Sequence, residues 1–207
     1  MLGVETLVDH GPQEAARRGQ EPWTGGPRRP RAAEVHRAGP PDRVWLTDIT
    51  EHPTSEGRLY CCAIKDLLSN RIVGYAIDER MTAHLAVTAL RTAVARRRPA
   101  GVVVVHSDRG SQFRARSFRA VLTAAGLQGS MGWVASPGDN AAMESWHALL
   151  YKDVLDRRRW RTRDKLHQAI VFWTEHTYNR RRRQRALGKP TPVEFELAFT
   201  AQAGIAA

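Results

Sequence analysis

The sequence predicts an α/β protein, a mixed five-stranded sheet with helices on both faces in a three-layer α/β/α arrangement. Three observations lead there. Three β-rich runs follow one another between residues 44 and 77, separated by turn residues. Four consecutive valines at 102–105 read as a buried strand of the parallel kind. Helix-period patterns lie between and after these runs.

Taken in order, "VWLTDIT" (44–50) opens the sheet, Gly57 turns the chain, and "RLYCCAIKD" (58–66) returns it. Ser69-Asn70 makes a tight turn into "RIVGYAI" (71–77), which completes an antiparallel meander. Thr82 is placed to cap a helix over 83–97 with Leu85, Ala89, Leu90 and Val94 on one face. "VVVVH" (102–106) is the fourth strand; "ARSFRAVLTAAG" (115–126) is a helix closed by Gly126; "LQGSMGW" (127–133) is the fifth strand. Pro137-Gly138 breaks the chain, and Asp139 or Asn140 caps a helix whose stripe is Met143, Trp146, Leu150 and Val154. Thr162 caps another, to about residue 178, with Leu166, Ala169, Ile170 and Trp173 inward. Thr191-Pro192-Val193-Glu194 is a capping box with Pro at the first helical position, and predicts a short helix through "VEFELAF".

A length of 207 residues and a hydrophobic fraction of 42% suffice for one sizeable core. The net charge of +11 points to a polyanionic partner, foremost nucleic acid. Residues 1–40, rich in Gly, Pro and Arg and without periodicity, read as a disordered basic arm. The foldable core is placed at 41–179, and 180–207 is read as a basic tail with one short helix. The two cysteines, Cys61 and Cys62, point to opposite faces of a strand and do not pair. Without a CxxC pair, a signal-peptide core or a run long enough to span a membrane, the expected location is reducing cytoplasm.

Three carboxylates stand in unusual places. Asp48 interrupts the first strand, Asp108 follows the valine strand at its carboxyl end, and Glu144 opens a helix. Sites of open α/β sheets gather at the carboxyl ends of strands. If the first and fourth strands are neighbours, the two aspartates face each other and the glutamate leans in from its helix. Three close carboxylates repel unless a cation lies between them, and oxygen donors of this kind suit Mg2+ or Mn2+. Each also has a plain structural reading: Asp48 as an edge-facing residue, Asp108 as the opener of the "SDRGS" turn, Glu144 as a solvated helix residue. In that turn Gly110 is expected to supply φ freedom. The arginine runs 157–159 and 180–183, with Arg185, are candidate phosphate contacts or a solvated basic face.

The stretches "VWLTDIT", "RIVGYAI", "HSDRGSQF", "GDNAAMES" and "YNRRRRQRALGKPTPVEFE" together resemble the catalytic core of the DDE transposases of the insertion-sequence-three family (orfB type), which is similar to the retroviral integrase core. The resemblance covers roughly residues 41–197, and 35 residues separate Asp108 from Glu144, the interval of that family. It implies an RNase H-like fold, a divalent cation, and cleavage and joining of DNA strands. Residue by residue, Asp48, Asp108 and Glu144 match the three acidic positions, as catalytic residues and metal ligands; Asp139 matches the helix-capping Asp. Arg157, Arg158, Arg159, Arg180, Arg181, Arg182, Arg183 and Arg185 become candidate DNA contacts. It further implies a homo-oligomer on DNA, bound to element ends and target, a helix-turn-helix partner from an upstream reading frame, and a place at the bacterial nucleoid. The family's N-terminal helix-turn-helix is not legible in residues 1–40, which read as truncated or frame-shifted. The alternatives are an inactive DNA-binding remnant and a metal-dependent nuclease of the same fold.

Overall fold

The computed structural model describes residues 39–131 and 141–205. Five strands form one sheet: β1 (Val44–Thr54), β2 (Gly57–Asp66), β3 (Ile72–Asp78), β4 (Val104–Ser107) and β5 (Gln128–Met131). Their spatial order is β3-β2-β1-β4-β5. The first three strands form the antiparallel meander, while β4 runs parallel to both β1 and β5. The helices are α1 (Ala83–Arg97), α2 (Ser111–Arg114), α3 (Arg116–Ala124), α4 (Ala141–Asp153), α5 (Arg163–Phe172) and α6 (Pro192–Ile205).

Strand alternation divides the core in two. Trp45, Cys62, Ile64 and Val105 face the layer made by α1 and α3, against Leu85, Leu90, Phe118 and Leu122. Val44, Leu46, Cys61 and Ala63 face the layer of α4 and α5, against Met143, Trp146, Leu150, Leu166 and Ile170. The adjacent cysteines thus lie in different cores, both buried and free. β3, an edge strand, comes so close to α1 that a Cβ on Gly74 would stand 2.6 Å from the backbone nitrogen of Ala93.

Several boundaries differ from the sequence reading. The valine strand begins only at Val104, because β1 and β5 offer no ladder pairing before that residue; Val102 is half exposed. The helix expected over 115–126 is α3, and a further helical turn that was not expected, α2, precedes it across extended backbone at Ala115 (φ −57°, ψ 142°). Thr82 occupies the N-cap position of α1, but its side chain accepts no capping hydrogen bond. Thr162 does cap α5, its Oγ1 accepting from the Lys165 amide at 3.2 Å. Beyond Phe172 the helix widens into a π-helix over Trp173–Tyr178. The capping box forms as expected, with Thr191 Oγ1 accepting from the Glu194 amide and Glu194 Oε2 accepting from the Thr191 amide. The helix it starts runs well past residue 199, to Ile205. Gly138, Asp139 and Asn140 and most of the arm lie outside the described residues.

α6 is bound to the body through a buried glutamate. Glu196 Oε2 meets Arg71 Nη1 at 2.6 Å and Arg97 Nη1 at 2.8 Å, and Ser69 Oγ donates to Glu196 Oε1 at 2.8 Å. Burial pushes that carboxyl up, but Arg97, Arg71 and Ser69 outweigh it and hold it below its usual value. Asn179 clamps β3, accepting from the Ile72 amide and donating to the Ile72 carbonyl, both at 3.0 Å.

Candidate active site

The site begins with the register of β1 against β4. The parallel ladder pairs Leu46 with His106 and Thr47 with Ser107, so the next residues in step are Asp48 and Asp108. Thr47 points into the α1 side, its Oγ1 3.6 Å from Cys62 Sγ. Asp48 therefore turns to the α4 side. There its Oδ1 accepts from the Ile49 amide at 2.8 Å, and its Oδ2 stands 3.6 Å from Nδ1 of His147 on α4. Asp108, exposed just past the end of β4, curls back to accept the Gly110 amide at 2.9 Å. Both carboxylates lie near the Cys62 thiol. Burial pushes that thiol up to about 12, and Asp48 and Asp108 both act in the same direction.

Gly110 does not serve by φ freedom, since its φ is −55°. A Cβ there would meet Asp108 Oδ1 at 2.9 Å, so glycine is needed to let the carboxylate lie over the turn. His106 makes a side-chain bond of 3.4 Å to Ser130 on β5, which joins the site's strand to its outer neighbour.

Glu144 is exposed in the first turn of α4, where a carboxylate complements the helix dipole. Its helix is set by the buried stripe Met143, Trp146 and Leu150. The structure thus sets Asp48, midway along β1, level with Asp108 just past the end of β4, and packs Glu144's helix on the face to which Asp48 turns. Among the described residues no group of three His, Cys, Asp or Glu side chains converges closely enough to hold a metal ion. The donor set fits a hard divalent cation in kind: two aspartates on adjacent strands β1 and β4, one within its strand and one just past the end of its own, with a third carboxylate on the helix above.

The site includes three residues not singled out for it from the sequence. His147, one turn after Glu144, has its Nε2 buried without a partner, and burial with the charge of Lys65 lowers its pKa to about 4. His52, further along β1, is 3% exposed with Nε2 unpartnered. Burial, then His147, lowers its pKa to about 4. Lys65 is buried at the end of β2. Only the i, i+3 spacing of Glu144 and His147 and the i, i+4 spacing of Asp48 and His52 hinted at them.

The arginines divide. Arg157, Arg158 and Arg159 are exposed, and the Arg158 guanidinium lies 4.2 Å over the Trp160 ring. Arg180, Arg181, Arg183 and Arg185 are exposed too, whereas Arg182 pairs with Asp153 at 2.7 Å and is part of the scaffold. No helix among the described residues is long and apolar enough to cross a membrane.

The integrase core domain family matches residues 39–137, and a second family of the same description matches 125–192. The chain is 40% identical over 155 residues to the insertion element IS600 uncharacterized 31 kDa protein of Shigella sonnei, covering 75% of this chain and 57% of that protein. It is 35% identical over 159 residues to transposase InsF for insertion sequence IS3A of Escherichia coli, covering 77% of this chain and 55% of the transposase. The chain therefore spans little more than half the length of these relatives. Among solved structures, the HTLV-2 integrase catalytic core domain in complex with magnesium, in trimeric form, shares the RNase H-like fold at a TM-score of 0.56 and 17% identity, over 76% of this chain and 97% of that one. With the strand order, the β1–β4 register and these sequence matches in agreement, the chain belongs to the integrase-core family and is similar in sequence to transposases of insertion sequences of the IS3 type.

Proposed function

We propose that this chain is the DDE catalytic core of an insertion-sequence transposase, which cuts a DNA strand at an element end and joins the freed 3′-hydroxyl to a second phosphodiester. The observation that carries the reading is the β1–β4 register, which sets Asp48 within β1 level with Asp108 just past the end of β4. Asp48, Asp108 and Glu144 would hold Mg2+ or Mn2+. When bound, such a cation activates the attacking oxygen and offsets charge on the phosphodiester and the leaving oxygen.

The chain's own residues supply the rest. The Ile49 and Gly110 amides fix one oxygen of each aspartate, and the other oxygen of Asp48 faces His147 Nδ1 at 3.6 Å. His147 and His52, neutral because they are buried, add no positive charge that would compete with a cation. Arg157, Arg158 and Arg159, and Arg180, Arg181, Arg183 and Arg185, bind the phosphate backbone and orient the strand. No covalent protein intermediate is required, because positioning and charge neutralisation suffice.

The magnesium complex and trimeric form of the viral core to which this chain is similar support a divalent cation and an oligomer. Two element ends have to be held together, so we assign the working state to a homo-oligomer on DNA at the bacterial nucleoid. Choice of the end sequence is assigned to a helix-turn-helix partner from an upstream reading frame. The test is to incubate the purified chain with end-containing DNA and Mg2+ or Mn2+ and separate nicked from joined products. Joined products support the reading; nicking without joining makes the chain a nuclease; binding without either makes it a remnant.

A further inference from the structure

Lys65 closes β2 with 1% of its surface exposed. Its Nζ donates to the carbonyl oxygen of Ala142 at 2.7 Å, in the first turn of α4. That is its one hydrogen bond among the described residues, although an ammonium has three to give. Burial draws its pKa down to about 7. Amine and ammonium alike donate this bond.

The placement works against stability. Burying an amino group is costly, and positive charge at a helix N-terminus opposes the macrodipole. A position chosen for packing alone would carry Met or Leu. What the lysine holds explains the cost. The Ala142 carbonyl also accepts from Ser145 Oγ at 2.8 Å, so Lys65 grips the turn that carries Glu144. One turn on, His147 reaches Asp48. The other hold of α4 on the sheet here is the apolar stripe Met143, Trp146 and Leu150, which is non-directional and permits sliding and rotation.

We propose that Lys65 is a positioning residue, whose bond to Ala142 fixes the axial position and rotation of the first turn of α4 and so the placement of Glu144 relative to Asp48. The proposal rests on the catalytic reading above only for its activity readout. In the full chain, Lys65→Met removes the donor and keeps the volume.

The expected result has three parts. Amides of residues 145–148 exchange with solvent about tenfold faster, while those of β1 and β2 keep their rates. The kcat for strand cleavage falls about 10²-fold with KM for DNA unchanged. The Mg2+ concentration for half-maximal activity rises, while the melting temperature holds or rises.

Unchanged exchange at 145–148 overturns the proposal, and so does faster exchange throughout the core. Lys65→Leu replaces the first variant if that one does not fold. Loss of the fold in both overturns the proposal, because it makes the lysine a requirement of the core. If the unaltered chain neither cuts nor joins DNA, the catalytic reading fails, and the exchange measurement still decides on Lys65.

Discussion

At the scale of single residues, the site depends on side chains that point where ordinary packing would not send them. Asp108 lies back over its turn because Gly110 leaves room for it. His52 and His147 are kept neutral by burial, each with its pKa lowered to about 4. The unfolded chain takes up those protons near pH 6.5 and the folded chain only near 4. Between these values the unfolded state holds more protons, so stability falls as pH falls through that window, by up to about 3 kcal/mol per histidine. Melting temperature measured from pH 7 to pH 4 should drop, and His52→Leu should flatten the slope; an equally steep curve in that variant contradicts the assignment. The aspartates were legible in the sequence because a carboxylate inside or directly after an apolar strand is out of place. The two histidines and Lys65 were not. Lys65 meets α4 77 residues further along the chain and His147 lies on α4 itself, so neither environment is local, and "CAIKD" on its own reads as a strand running out into solvent.

At the scale of elements, the strands and the inward stripes followed from periodicity, since Leu85, Leu90, Met143, Trp146, Leu150, Leu166 and Ile170 are all buried. What periodicity missed was set by partners distant in sequence. The valine strand starts where its neighbours start, α2 breaks from α3 at one extended residue, and the π-helix keeps Trp173 and Tyr178 together in the core, 5.4 Å apart. α6 shows the limit most clearly. Its sequence is apolar, yet the residues it buries are Pro192 and Glu196, and the glutamate is bound by Arg71, Arg97 and Ser69. Glu196→Leu would leave two arginines facing an apolar group. It should cost about 3 kcal/mol in urea unfolding and free α6 first, seen as faster amide exchange at 193–205. A loss below about 0.5 kcal/mol would show that the helix is held by other contacts.

At the scale of the whole molecule, the charge of +11 is spread unevenly in its roles. Arg71, Arg97 and Arg182 serve ion pairs inside the scaffold. Arg157–Arg159 and Arg180, Arg181, Arg183 and Arg185, the proposed phosphate contacts, are exposed. Replacing Arg157, Arg158 and Arg159 by Ala should weaken binding to DNA of any sequence. It should also lower the slope of log affinity against log salt by about 2–3. An unchanged slope would assign that run to a solvated face. The central claim is that two adjacent strands, β1 at Asp48 and β4 at its end, and one helix turn make a cation-dependent centre for cutting and joining DNA. Asp108→Asn tests it most directly, since it keeps the shape and removes one ligand charge. With end-containing DNA and Mg2+, the account predicts unchanged DNA affinity and a fall in strand joining of about 10³-fold or more; joining at the rate of the unaltered chain would contradict it.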